Sequence, residues 1–358
     1  MRFAAVLGLV LAFAATAPTA LAGQGHAASR LPVEVLDVVP PSAWVQGDPG
    51  RMTVQRLQCR DLPPSELRRR VVDVAVQEWA FFGYPVLDRR NNARFLPPGS
   101  SANGVRPTFE SSTSGRAPLV NAGEAGRVAA TIGGYWAVTP EGPGIVSTQN
   151  QAWSGNGGVG ARWRAPWSAA FISWVMCEAG MGSADSFRRA IAHWTYIDQA
   201  IRARDGRAPG AAYVAYDIGE EVVEPGDMLC AGRRPQYRNV AERRRQMGSG
   251  ASTHCDIVVE IDEAGGRILT VGGNVLRSVS LKVFPGTMGS DGVFRPSGGA
   301  GRPLFVHLKL QADPIEPDAL ARSRVFQALA CSHEGVVAPR VAVVVSELGV
   351  GFPAGTRC

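Results

Sequence analysis

The sequence predicts an α+β domain, and two observations predict it. Apolar residues recur at helical spacing between about residues 65 and 204, and shorter apolar runs punctuated by Gly and Asp follow from 228 to 310. Helices first and strands afterwards is the order of α+β chains, whereas parallel-sheet folds alternate the two.

The chain opens with Arg2, an apolar run from Phe3 to about Ala14 and small residues ending Ala20-Leu21-Ala22. This is the three-part pattern of a secretory signal peptide, so residues 1–22 are set apart from the fold. Gly23 follows the expected cut with no Cys nearby, which does not indicate a lipid anchor. No later stretch reaches the roughly 18 apolar residues of a membrane span. A soluble periplasmic or secreted protein is expected, without stable membrane insertion once the signal is removed.

Residues 23–64 are rich in Pro and turn formers and predict a peripheral, extended arm with one short strand. The main domain is expected over 65–312. Its first helix is capped by Ser65 and ends near Gly83, carrying Leu67, Val71, Val74, Ala75, Trp79 and Phe82. Residues 88–120 predict a long loop, Ala122 to Trp136 a second helix, and Gly142 to Gly160 a Gly- and Asn-rich loop. Pro166 and Gly180 bracket a helix with Ala170, Phe171, Trp174 and Val175 inward. A further helix is expected from about Ser186 to Arg204. Strands follow at Met228 to Cys230, Ile257 to Ile261, Ile268 to Val271, Val279 to Val283 and Phe305 to Leu310. Residues 313–358 form a C-terminal extension with one helix candidate and an apolar run, Val341 to Val345, of no assigned role.

Removing the signal takes away Arg2 and no acid, so the formal net charge falls from +6 to +5. Lys282 and Lys309 are the only lysines, and the arginines are scattered. A nucleic-acid footprint needs a clustered stripe, so no nucleic-acid partner is expected. The exception is Arg233 to Arg245, with six arginines between two strands. It reads as a solvated loop or, if it binds, as a site for carboxylates, which suit bidentate guanidinium. In an oxidising compartment the six cysteines allow up to three disulfides. Cys230 and Cys255, at facing ends of two candidate hairpin strands, are the first pair to test.

Four segments carry candidate chemistry. Ser168 stands in the first turn of its helix, where unpaired N–H groups and the macrodipole favour a developing oxyanion. His254 stands at the mouth of a strand, and Asp256, two residues on, shares its face. Asn274 follows Gly272-Gly273 at the end of the next strand, where its amide can orient an imidazole. His193 lies beside the apolar stripe of the Ser186 to Arg204 helix, at the border of a pocket or at the surface. His193, His254 and Asp256 lack the short ligand pair of a zinc motif, and no glycine loop ends in Lys-Ser/Thr. No metal or cofactor is expected.

These residues occur in a telling order: Trp167-Ser168-Ala169-Ala170-Phe171-Ile172-Ser173-Trp174-Val175, then Pro225-Gly226-Asp227 before a strand, then His254 beginning a strand and Asn274 after another. The pattern resembles the CHAP and NlpC-type amidases of the papain-like superfamily. With Ala192-His193-Trp194-Thr195-Tyr196-Ile197 and His254-Cys255-Asp256-Ile257-Val258-Val259 included, it is more similar still to a bacterial family, domain of unknown function 2272, over about residues 65 to 310. The resemblance implies a papain-like core with helices on a small antiparallel sheet, acting on peptidoglycan or another amide-containing substrate. It places Ser168 where those enzymes have a nucleophilic Cys, His254 as the base and Asn274 as the third member, with Trp167, His193 and Asp256 toward substrate. A hydroxyl must lose its proton during attack, whereas a thiol can ionise beforehand. The resemblance therefore implies a Ser/His cell-wall hydrolase, a non-catalytic wall-binding or scaffold module derived from one, or a fold reused for another purpose. Cys177 lies nine residues along the same helix, about 13 Å away, too far to replace the thiol.

Overall fold

The computed structural model describes residues 30–95, 109–111, 122–156, 158–160, 163–275 and 277–330. The expected signal segment, Cys331, Cys358 and Val341 to Val345 lie outside the described residues. Eight helices and twelve strands occur among those described: α1 Val33–Leu36, β1 Val45–Gln46, β2 Thr53–Val54, α2 Pro64–Phe81, β3 Val86–Asp88, β4 Ala93–Phe95, β5 Phe109–Ser111, α3 Ala122–Ala137, α4 Gly142–Trp153, α5 Ser168–Ala179, α6 Trp194–Arg204, β6 Tyr213–Tyr216, β7 Met228–Arg234, α7 Val240–Arg244, β8 Ser252–Asp262, β9 Arg267–Val275, β10 Ser278–Met288, β11 Phe294–Pro296, β12 Leu304–Leu310 and α8 Arg324–Ala330.

The fold is mixed α and β, with a mostly antiparallel sheet ordered β5-β4-β3-β10-β9-β8-β7-β12-β6 and β11 paired to β10. The expected small sheet is larger because β3 adds to β10 in parallel and the β4 and β5 ribbon extends that edge. Odd-numbered residues of the central strands, among them Cys255, Ile257, Val259, Val271 and Leu281, enter the main core beneath the helices. Even-numbered Val258, Ile268 and Phe284 form a smaller apolar cluster on the opposite face, as the period-two geometry of strands requires.

α5 is buried along all of its residues. It is therefore the central helix of the layer and not a surface helix with one inward stripe. Gly180 ends it in the left-handed region (φ 102°), as expected of a C-terminal glycine. α2 lies beside α5 and is held to the sheet by a buried polar anchor. The Asp227 carboxylate accepts from Arg68 Nη1 (2.7 Å) and from the backbone N–H of Leu310 (2.9 Å), and pairs with His307 Nε2 at 2.8 Å. Pro225-Gly226-Asp227 thus fastens a helix to two strands, and Gly226 (φ 93°) lets the turn close over Arg68.

Several sequence expectations are corrected. The arm is not peripheral: Leu36, Trp44 and Met52 enter the core. A 3₁₀ turn at Pro41–Trp44 crosses α3 so closely that a Cβ on Gly134 would lie 1.7 Å from the Pro41 carbonyl oxygen. Ser65 does not cap α2; Pro63 is the cap residue and Pro64 occupies the first turn. Residues Gly142–Trp153 are helical because buried Val146, Gln149 and Trp153 share a face despite the Gly and Asn content. The helix expected from Ser186 begins only at Trp194. Before it, Ser173 Oγ donates to the Ala190 carbonyl and accepts from its N–H, and Arg189 reaches the carbonyls of Val138 and Gly182. Tertiary hydrogen bonds thus replace the helical ones. The Arg233 to Arg245 segment contains α7, and Arg243 is buried with both ends of its fork on Asp198 (2.7 and 2.8 Å). Beyond Asp313, α8 returns to α2, where Phe326 stacks on Trp79.

Disulfides join Cys230 to Cys255, the expected cross-strand pair, and Cys59 to Cys177. Both fit a compartment outside the reducing cytoplasm. Among the described residues no helix is long and apolar enough to cross a membrane.

Candidate active site

Ser168 is the first residue of α5, and its side chain meets two imidazoles. Its Oγ lies 2.9 Å from His254 Nδ1 and in hydrogen-bond contact with His193 Nε2. His254 sits in the third position of β8, and its Nε2 is 2.9 Å from Asp256 Oδ1. The other oxygen of Asp256 accepts from Lys282 Nζ at 2.7 Å. Lys282 comes from β10, where it pairs with Thr270, and Thr270 pairs in turn with Val258. The registers of three strands therefore bring residues 254, 256 and 282 to one face.

The protons of this chain can be assigned from one contact. A backbone N–H only donates, so the Cys255 N–H, 3.3 Å from His193 Nδ1, makes that nitrogen an acceptor. Tyr196 OH, one turn on, donates to the same nitrogen. The His193 ring proton then sits on Nε2 and points at Ser168 Oγ, which leaves the serine proton for His254 Nδ1. The His254 proton sits on Nε2 and is received by Asp256. From His193 Nε2 through Ser168 and His254 to Asp256, every link has one donor and one acceptor.

The electrostatics agree with this assignment. Burial and the neighbouring His254 hold the His193 pKa well below its ordinary value. Burial and Lys282 also lower that of His254, against the opposing pull of Asp256. Both rings are therefore neutral near pH 7. Burial alone would raise the Asp256 carboxyl, but Lys282 and His254 outweigh it and keep it ionised far into acid.

Two consecutive glycines make room for this site. A Cβ on Gly272 would lie 1.9 Å from Asp256 Oδ1, and one on Gly273 would lie 2.6 Å from the Phe171 Cβ on α5. One glycine admits the carboxylate and the next, facing the other way, lets α5 rest on β9.

Ser168 opens into a cleft of about 540 Å³ whose lining includes His193, His254, Asp256, Asn274 and Lys282. Ser168, His254, Asp256 and His193 thus converge. Asn274 lines the same cleft at φ 56°, but among the described residues it makes no hydrogen bond to His254. The residue on the far nitrogen of the imidazole is Asp256 instead. Trp167 does not face the cleft; it is fully buried, stacked between Phe82 and Tyr135 at centroid distances of 5.9 and 5.8 Å. His193 does not lie within a helix but forms the N-cap position of α6.

Sequence reasoning missed Lys282 and Tyr196. Tyr196 carried a signal, its three-residue spacing from His193, whereas Lys282 becomes visible only with strand register. Among the described residues no group of three or more His, Cys, Asp or Glu is arranged to hold a metal ion.

Residues 126–303 match the model of a family described as "Uncharacterized protein conserved in bacteria (DUF2272)". No curated protein matches the chain, and neither does any solved structure. The DUF2272 match is narrower than the resemblance read from the sequence, yet it spans every residue of the hydrogen-bonded chain from Tyr196 and His193 to Lys282. Arg89, which also lines the cleft, lies outside it.

Proposed function

We propose that this protein is an exported serine hydrolase acting on amide bonds, with Ser168 as nucleophile, His254 as general base and Asp256 as the residue that orients and charges the base. The observation that carries this reading is the 2.9 Å contact from Ser168 Oγ to His254 Nδ1, backed on the far nitrogen by the Asp256 carboxylate at 2.9 Å. These are the separations that proton transfer requires.

As Oγ bonds to the substrate carbonyl carbon, its proton passes to His254 Nδ1, and Asp256 stabilises the imidazolium that forms. The carbonyl oxygen gains negative charge beside the first-turn N–H groups of α5, which suit an anion. His193 Nε2–H, held in that tautomer by Cys255 and Tyr196, is a second donor for the same charge. When the C–N bond breaks, His254 returns the proton to the leaving amine. Water then adds to the acyl-serine by the same route in reverse.

The resemblance to CHAP and NlpC-type amidases supports a papain-like ancestry and peptidoglycan peptides as substrate. Isolated wall sacculi test it: wild-type protein is expected to release soluble fragments, and Ser168→Ala none. Equal release by both proteins would sink the assignment.

The presence of Ser where the resembling enzymes carry Cys favours one other reading, a wall-binding module that has lost turnover. That module would bind sacculi, cut nothing and leave Ser168 unlabelled by a fluorophosphonate.

A further inference from the structure

Charge is not balanced within the cleft. Among the described residues its only acidic lining residue is Asp256, and both carboxylate oxygens of Asp256 are taken, by His254 and Lys282. Arg89, Arg233 and Arg302 also line it, and among the described residues none of the three has an ion-pair partner or a side-chain hydrogen bond. Nor is this a general property of the arginine-rich surface. In the nearby segment Arg238 pairs with Glu242, Arg243 with Asp198 and Arg244 with Asp205.

Arg89 is held with particular care. Its N–H donates to the Val283 carbonyl and its carbonyl accepts from the Ala300 N–H, both at 2.8 Å. Its guanidinium lies against Gly301, where a Cβ would fall 1.3 Å from Nη2, and its Nε is buried without a partner. A buried guanidinium donor left unpaired costs free energy unless a ligand meets it. Arg302 is close enough to feel both of the others: burial lowers its pKa, and Arg233 and Arg89 lower it further. Burial likewise lowers the Arg89 pKa, against a pull from Asp256, whose two oxygens already hold His254 and Lys282.

We infer that the cleft binds a substrate bearing a carboxylate close to the scissile amide, and that Arg89, Arg233 and Arg302 receive it. Describing the ligand as a substrate rests on the hydrolase reading above; the anion site itself does not. A planar carboxylate takes two parallel N–H bonds from one guanidinium and remains open to a second, which matches three guanidinium forks beside a lysine, Lys282, already paired with Asp256. The arginines therefore select among amides: a neutral neighbour of the scissile bond leaves three cations unmet.

The test uses the full chain carrying Ser168→Ala, so that binding is read without turnover. Calorimetry compares acetyl-Ala-Glu-Ala with its neutral isostere acetyl-Ala-Gln-Ala-amide, with inorganic phosphate as a third ligand. Charge-assisted hydrogen bonds contribute about 1.5–3 kcal/mol, so the acid form is expected to bind roughly ten- to a hundredfold more tightly. The preference should shrink in about 1 M salt, where the screening length is about 3 Å. It should disappear in Arg89→Gln and Arg302→Gln and partly survive in Arg89→Lys, with circular dichroism confirming that each variant is folded. Equal binding of acid and isostere, no measurable binding of either, or tighter binding of phosphate than of the acid peptide would each overturn the inference. Fluorophosphonate labelling of wild-type Ser168 reports separately on the hydrolase reading. Labelling without an acid preference defeats only the carboxylate site; an acid preference without labelling defeats only the catalytic assignment.

Discussion

At its first residue α5 presents Ser168 to a cleft containing three guanidiniums that, among the described residues, form no salt bridge. At its other end the same helix is tied down on every side. Cys177 is bridged to Cys59 in the arm, and the Glu178 carboxylate accepts from the Val39 N–H (2.8 Å) and from Trp44 Nε1 (3.3 Å). Arg70 caps the Glu178 carbonyl at 2.9 Å. One end is left electrostatically unfinished, and the other satisfies its polar groups with partners more than a hundred residues away in sequence. The difference teaches where the rigidity of the site originates: a nucleophile can be held within 0.5 Å of a productive position when its helix is anchored elsewhere.

The comparison can be broken first at the reacting end. Ser168→Ala or His254→Ala is expected to lower kcat by roughly 10⁴-fold or more, since members of such a unit fail together. Thermal unfolding should show that both variants remain folded; retained turnover in either would remove the reaction from this site. Asp256→Asn should lower kcat by about 10²–10⁴-fold with KM little changed. The acid limb of the wild-type pH profile supplies a second check. Because burial and Lys282 lower the His254 pKa, the base stays neutral to more acidic pH and the midpoint should lie below 6.5. A midpoint above 6.5 would contradict the assignment.

At the anchored end, Cys59→Ser with Cys177→Ser opens a loop of 118 residues. The expected cost is about 2–5 kcal/mol of stability, measured by denaturant titration, while the fraction still folded keeps its fluorophosphonate labelling.

The smallest effect concerns Glu178 itself. Burial raises its pKa to about 7 from an ordinary 4.5. The folded state therefore holds this proton more tightly than the unfolded chain does. The resulting stability is fully present below pH 4.5 and is lost as pH rises through about 7, by up to about 3 kcal/mol. Glu178→Gln should flatten this part of the stability profile; an unchanged slope would locate the titration elsewhere, with Glu260, also raised to about 7 by burial, as the group to examine next.

Much of the fold was legible because strands and helices leave different periods. The five central strands were readable from apolar runs, and α5 from Pro166 and Gly180, which bracket it. α4 was hidden by its composition, since Gly142, Pro143, Gly144 and Asn150 read as loop while the face formed by Val146, Gln149 and Trp153 decides the outcome. The stretch before α6 went the other way, its apolar stripe overruled by the hydrogen bonds of Ser173 and Arg189.

In the site, the step of two from His254 to Asp256 put both on one face, a purely local inference. Asn274 was chosen as third member because a strand-end amide beside two glycines looks suitable in sequence; among the described residues it makes no hydrogen bond to His254, and the far imidazole nitrogen contacts Asp256 instead. Lys282 is brought in by β10, Arg89 by the turn after β3 and Arg302 by the loop before β12, and nothing local marks them as members of one cleft.

The glycine at 273 gives the site a mechanical tolerance. With Phe171 already at contact distance, even one methyl group there would have to push α5 off β9 by about 1 Å to reach an ordinary carbon–carbon separation. Displacements of that size cost about a hundredfold in rate when reacting groups are pre-aligned. Ser168 would be carried away from an imidazole fixed in the sheet, so a position with no side chain of its own governs whether the hydroxyl and the His254 ring stay within reach.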